Sequence, residues 1–187
     1  MLYHKLQMIR GQLRRREVKV SDALLIVSRC LRDKLPEERL RWLNRELLGY
    51  RADDLAILCD KPKFPQLGLL LVPLSNKKHD LEVPQYRFLS GSWGRMDLTG
   101  RLVRVNAVHL VEKSIFCNIG IQQIEVQLDE TEDPINSLFS MSLDERTGAE
   151  FYCWSRELVR VYEAVRGKLG EFIDNVLEEL KSTSNER

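Results

Sequence analysis

Three observations predict an α+β chain. The first 50 residues carry amphipathic helical spacing. Near residue 84 the texture shifts to Val, Leu and Phe punctuated by Gly91, Gly94 and Gly100. From residue 158 to 180 a long apolar stripe returns at helical spacing. The expected architecture is an N-terminal helical hairpin, a small central antiparallel or mixed sheet, and a long C-terminal amphipathic helix. A chain of 187 residues suits a single domain over 1–187.

Leu2, Leu6, Ile9 and Leu13 step by four and three, which predicts a first helix. Ser21 or Asp22 suits the cap of a second, with Leu24, Val27, Leu31 and Leu35 on one stripe. Pro36 suits the first turn of a third, followed by Glu37 and Glu38 at its positive end. Leu40, Leu43 and Leu47 form its stripe, and Gly49 ends it in the left-handed position. Residues 1–50 are thus helical, and 51–83 form a connector whose apolar run 67–74 predicts a short buried strand with Pro73 at its edge.

Residues 84–150 are expected to hold the sheet, then a short helix marked by Ile121, Ile124 and Leu128, then an acidic loop or hinge over 129–150. Residues 151–182 make the last helix. Its clearest part, 155–181, is about 40 Å long at 1.5 Å per residue. Gly167 and Gly170 are weak points within it. They either admit a close neighbour or are simply tolerated.

Hydrophobic residues make up 43% of the chain, enough for a core. The four cysteines, at 30, 59, 117 and 153, are scattered, which excludes a CxxC zinc half-site and predicts small buried hydrophobes. Residues 1–16 lack the unbroken apolar stretch of a signal peptide. The run 67–74 is far shorter than the roughly 20 residues of a membrane span. A cytoplasmic chain without a membrane partner is expected.

The net charge of +1 is unevenly spread. Residues 1–75 carry fifteen Lys and Arg against nine Asp and Glu, a net +6; residues 129–187 carry seven against fourteen, a net −7. Two uses are open. The basic part packs on the acidic part, or the two poles face different partners, the basic one nucleic acid. Arg10, Arg14, Arg15 and Arg16 are the candidate phosphate contacts.

No catalytic constellation stands out. Arg104 and His109 fit the bare R-x4-H spacing of HEPN-type ribonucleases, but that chemistry needs both on a helix and this stretch reads as extended. The histidines at 4, 79 and 109 form no metal-ligand pair. There is no Walker loop, GxGxxG or GxSxG, so no cofactor is expected, and whether the chain is an enzyme stays open.

Two short runs carry more. Trp42, Glu46, Gly49 and Tyr50 close the third helix, and Pro84, Tyr86 and Arg87 follow in a segment that reads as extended. Trp42 and Glu46, four apart, share one helix face, and Arg87 has the charge to pair with Glu46. Two readings are open: a structural clamp, or a pocket in which Arg87 reads an anion.

Together these residues resemble the W…EL.GY…P.YR signature of the AbiTii domain family, named for abortive phage infection. Residues 20–35 are similar to the family's helix before that element, 155–180 to its closing helix, and 121–125 to an internal helix ending in glutamate. The chain departs from the pattern where 33 residues separate Tyr50 from Pro84, so 51–83 reads as an insertion. The resemblance implies a bacterial role in phage defence, either as a stand-alone abortive-infection protein or as a module beside effector domains. An interaction or sensor module without catalysis of its own, with a protein partner or with itself, is the reading expected here. A toxic effector acting on nucleic acid is the alternative.

Overall fold

The computed structural model describes residues 1–51, 84–105, 113–133 and 135–185. The strand expected at 67–74, most of the connector and His109 lie outside the described residues. The described chain is α+β and forms two compact units, each discontinuous in sequence.

The first unit joins Met1–Gly49, Ile119–Gln127 and Tyr162–Arg187. Its helices are α1 (Leu2–Arg15), α2 (Val20–Leu31), α3 (Glu37–Leu48), most of α4 (Ile121–Asp129) and the larger part of α5 (Ser155–Asn185). Leu6, Ile9 and Leu13 of α1, Leu24, Val27 and Leu31 of α2, and Leu40 and Leu43 of α3 are buried as their spacing requires. On α5 the buried line runs through Val165, Leu169, Ile173 and Val176, leaving Tyr162, Phe172 and Leu180 half-buried at its margin.

Two helix starts differ from expectation. Helix α2 begins at Val20 after Lys19, which makes no side-chain cap, and Ser21 lies inside the first turn with its side chain committed elsewhere. Pro36 is the N-cap of α3 rather than its first residue.

Gly49 ends α3 at φ 95° and ψ 171°, a backbone region open essentially to glycine alone and not the left-handed helical one. Its N–H donates to the Arg45 carbonyl at 2.9 Å, and it bridges antiparallel to Ile119. Directly after that bridge, a Cβ on Gly120 would sit 2.3 Å from the Leu47 carbonyl oxygen. Only glycine lets the start of α4 pass this close to the end of α3. On α5, Gly170 admits the Arg10 guanidinium within 3.1 Å of where its Cβ would lie, whereas Gly167 faces open space.

The second unit joins Tyr50–Asn118 and Leu128–Val161. Its antiparallel sheet contains β1 (Phe88–Met96), β2 (Leu102–Arg104), β3 (Ser114–Phe116), β4 (Leu138–Asp144) and β5 (Ala149–Trp154). The order is β2–β1–β5–β4, with β3 also pairing β1. Two turns share one device. Asp97 accepts the Thr99 and Arg101 N–H groups ahead of Gly100 (φ 75°), and Asp144 accepts the Thr147 N–H ahead of Gly148 (φ 61°).

The acidic stretch 129–150 is therefore not a loop, since it supplies β4 and the start of β5. Residues 151–154 are likewise strand, and the last helix begins at Ser155. The strand β4 was hidden by a bulge. Phe139 pairs Cys153, but after the extra residue Met141 it is Ser142 that pairs Phe151 and Asp144 that pairs Ala149. One inserted residue inverts the parity, burying Ser142 and Asp144 and exposing Leu143.

Beyond Cys153 the strand β5 gives way to helix, and α5 takes over the edge of β1. Glu157 accepts the Ser90 N–H at 3.0 Å, and Arg160 donates to the carbonyls of Tyr86, at 3.0 Å, and Phe88. Side chains from one helical turn thus satisfy backbone groups that a longer strand would have paired.

The two glycines make a contrasting pair of predictions. Gly120→Ala should destabilise the protein by roughly 2 kcal/mol or more, through overlap with the Leu47 carbonyl. Gly167→Ala should be neutral or stabilising by up to about 1 kcal/mol. Urea unfolding of both variants checks this.

Candidate functional site

The signature residues divide between the units. Trp42, Glu46 and Gly49 belong to the first. Trp42 sits against Phe172 of α5 with ring centroids 6.1 Å apart, and Glu46 is wholly buried on the α3 stripe. Tyr50, Pro84, Tyr86 and Arg87 belong to the second. Pro84 opens a 3-10 turn, Gln85–Arg87, rather than an extended run, closed by the Arg87 N–H on the Pro84 carbonyl at 2.9 Å. That turn drives Arg87 inward, where it is among the largest wholly buried side chains.

Cys117 and Tyr50 both hold Arg87. Its Nη1 donates to the Cys117 carbonyl at 3.1 Å, while the Cys117 N–H donates back to the Arg87 carbonyl at 2.8 Å. Its guanidinium lies 5.1 Å from the centroid of the Tyr50 ring. Tyr50 in turn meets Phe116 edge-on at 5.2 Å, and its N–H donates to the Asn118 carbonyl. A buried cation so enclosed fixes the turn before β1 against the end of β3.

A second buried polar centre lies at the N-terminus of α2, within the first unit. The Glu125 carboxylate of α4 accepts the Ser21 N–H at 3.1 Å and the Ser21 hydroxyl. Both residues are buried. Next to it the Val20 N–H donates to the Tyr162 hydroxyl at 3.3 Å, and the Arg166 guanidinium covers the Tyr162 ring at 5.1 Å. Burial pushes the Tyr162 hydroxyl pKa up, with Glu125 adding to the shift and the Val20 N–H and Arg166 opposing it. A carboxylate at a helix N-terminus is favoured by the exposed N–H groups and the helix dipole. Of this centre only Glu125 was pointed to, by the family resemblance and as the close of an internal helix, whereas α4 runs on to Asp129. Ser21 had been expected to cap α2 itself.

The basic cluster is largely engaged within its own unit. Arg10 makes a two-pronged pair with Asp174 of α5 at 2.9 and 3.0 Å, Arg16 pairs with Glu163, and Arg39 with Glu179. Arg15 pairs with its neighbour Glu17. Arg14 is exposed. Cations of the N-terminal part therefore pair with carboxylates of α5, although α5 itself is nearly neutral and most of the acidic excess of 129–187 lies in 129–150, in the other unit.

Arg104 lies exposed in β2, not on a helix. Cys117 and Cys153 are buried, and Cys30 is half-buried. Burial pushes the Cys153 thiol up to about 12, with Cys117 and Glu157 contributing. Among the described residues no three His, Cys, Asp or Glu side chains converge to hold a metal ion. No described helix is long and apolar enough to cross a membrane. A shallow depression of about 450 Å³ on the first unit is lined by Ile119, Gln122, Gln123, Val126 and Gln127.

No protein-family model matches the chain, and no curated protein or solved structure is significantly similar to it.

Arg87→Ala should destabilise the protein by roughly 3–5 kcal/mol, because it empties a buried, hydrogen-bonded position. Arg87→Lys should rescue little, since an ammonium cannot reproduce the contact of the guanidinium with the Tyr50 ring together with its hydrogen bond to the Cys117 carbonyl. Thermal melts compare the two. Iodoacetamide near pH 8 should leave Cys117 and Cys153 unmodified in the folded protein and label both in urea, read by mass spectrometry.

Proposed function

We propose that this chain is a module of bacterial phage defence of the AbiTii type, acting in the cytoplasm through contacts with a protein partner. The observation that carries this reading is where the signature side chains go. Glu46 and Arg87 are wholly buried and Tyr50 is 5% exposed, with Arg87 bound to a backbone carbonyl and stacked on that ring. Residues that resemble a family motif and are spent inside the fold specify a scaffold, and a scaffold acts through the surface it presents. The paired arginines in and just after α1 fit the same picture, because Arg10, Arg15 and Arg16 already hold carboxylates.

Induced expression in a bacterial host tests the reading. Wild type alone should leave growth unchanged, and phage challenge should give roughly tenfold fewer plaques than in cells carrying a destabilised Trp42→Ala variant. Growth arrest by wild type that disappears in a His109→Ala or Arg14→Glu variant with unaltered circular dichroism would contradict it and establish a toxic effector.

A further inference from the structure

We propose that the outer edge of β4 binds a short, basic, extended segment of the partner protein as an added strand. This deepens the interaction-module reading and rests on it. The strand order leaves β4 at the margin of the sheet. Among the described residues, the backbone of 138–143 makes no hydrogen bond except to β5. Each unpaired N–H and C=O along that edge is a site for another strand.

Natural edges are commonly protected by lysine or proline, and the Leu138–Asp144 stretch, Leu-Phe-Ser-Met-Ser-Leu-Asp, contains neither. It also exposes Leu143 at 52%, an apolar contact for a partner side chain. Ser142, 9% exposed, buries a hydroxyl oxygen without a hydrogen-bond partner on this same strand.

Charge decides what kind of segment fits. Residues 129–150 carry seven Asp and Glu against the single cation Arg146. Glu130 and Glu132 on the approach to β4, and Glu145 in the turn that leaves it, are exposed and form no ion pair among the described residues. An antiparallel copy of β4 would set Glu145 at the end where Glu130 and Glu132 of the other copy lie, so like charge disfavours self-pairing. A lysine- or arginine-bearing strand meets complementary charge at both ends. The bulge at Met141 divides the edge into two short runs, which suits a peptide and discourages stacking into a long sheet.

The test is fluorescence anisotropy of the purified full chain with a labelled peptide alternating lysine and valine, alongside amide hydrogen exchange. The peptide should bind and slow exchange at residues 138–144. Affinity should fall roughly tenfold or more in a Glu130→Lys, Glu132→Lys, Glu145→Lys variant with unaltered melting temperature. It should fall similarly for a peptide N-methylated at alternate residues, which cannot donate along the edge. No binding, protection elsewhere, or binding indifferent to N-methylation would overturn the proposal. So would self-association that protects the same amides, since the occupant would then be a second copy. The assay is independent of cell growth, so failure of the peptide and failure of the defence reading are separately visible.

Discussion

The carboxylate of Glu125, set on the first turn of α2, is the contact on which the first unit depends. That unit is assembled from three stretches far apart in sequence. The α2 start is buried at Val20 and Ser21, where the first N–H groups of a helix have no intrahelical acceptor. Water cannot supply one in a packed interior, so another element must. The short helix α4 does so, across 104 residues of chain. Its approach is set by backbone, since Gly120 must be bare for α4 to start beside the end of α3, and Gly49 must take up a conformation closed to other residues. The apolar side chains of α4, Ile121 and Ile124, then enter the core with the polar group already matched.

The second unit solves the same problem with a cation. Burying Arg87 is costly unless it is hydrogen-bonded and enclosed. The Cys117 carbonyl and the Tyr50 ring do this, and the 3-10 turn after Pro84 delivers the side chain there. Glu157 and Arg160 extend the principle to the margin of β1, where helical side chains replace a missing strand. Glu46, Tyr50 and Arg87, among the residues behind the AbiTii resemblance, thus lie inside the fold.

The helices were legible because their spacing is regular. Leu6, Ile9 and Leu13, or Leu24, Val27 and Leu31, recur at three and four and are buried on that account. The uneven charge was legible only in part, since the Arg10–Asp174 and Arg39–Glu179 pairs join the basic helices to α5, while most of the acidic excess lies in 129–150. The strand β4 was not, because the bulge at Met141 breaks the alternation a strand is recognised by and puts Ser142 inside and Leu143 outside. Ser21 has the right chemistry for a cap but stands two positions past Lys19, so local preference pointed to the right end of α2 and the wrong partner. The Arg87 turn was misread as extended because proline suits both conformations.

The central claim is that Glu125 closes the first unit by satisfying the buried start of α2. Native-state amide hydrogen exchange of Ser21 tests it most directly. First-turn amides of an ordinary surface helix exchange quickly, since nothing covers them. The account predicts that the Ser21 amide exchanges only through global unfolding, at the rate of core amides such as Leu169, and that Glu125→Ala releases it to local exchange. Fast exchange of Ser21 in the wild-type protein would contradict it.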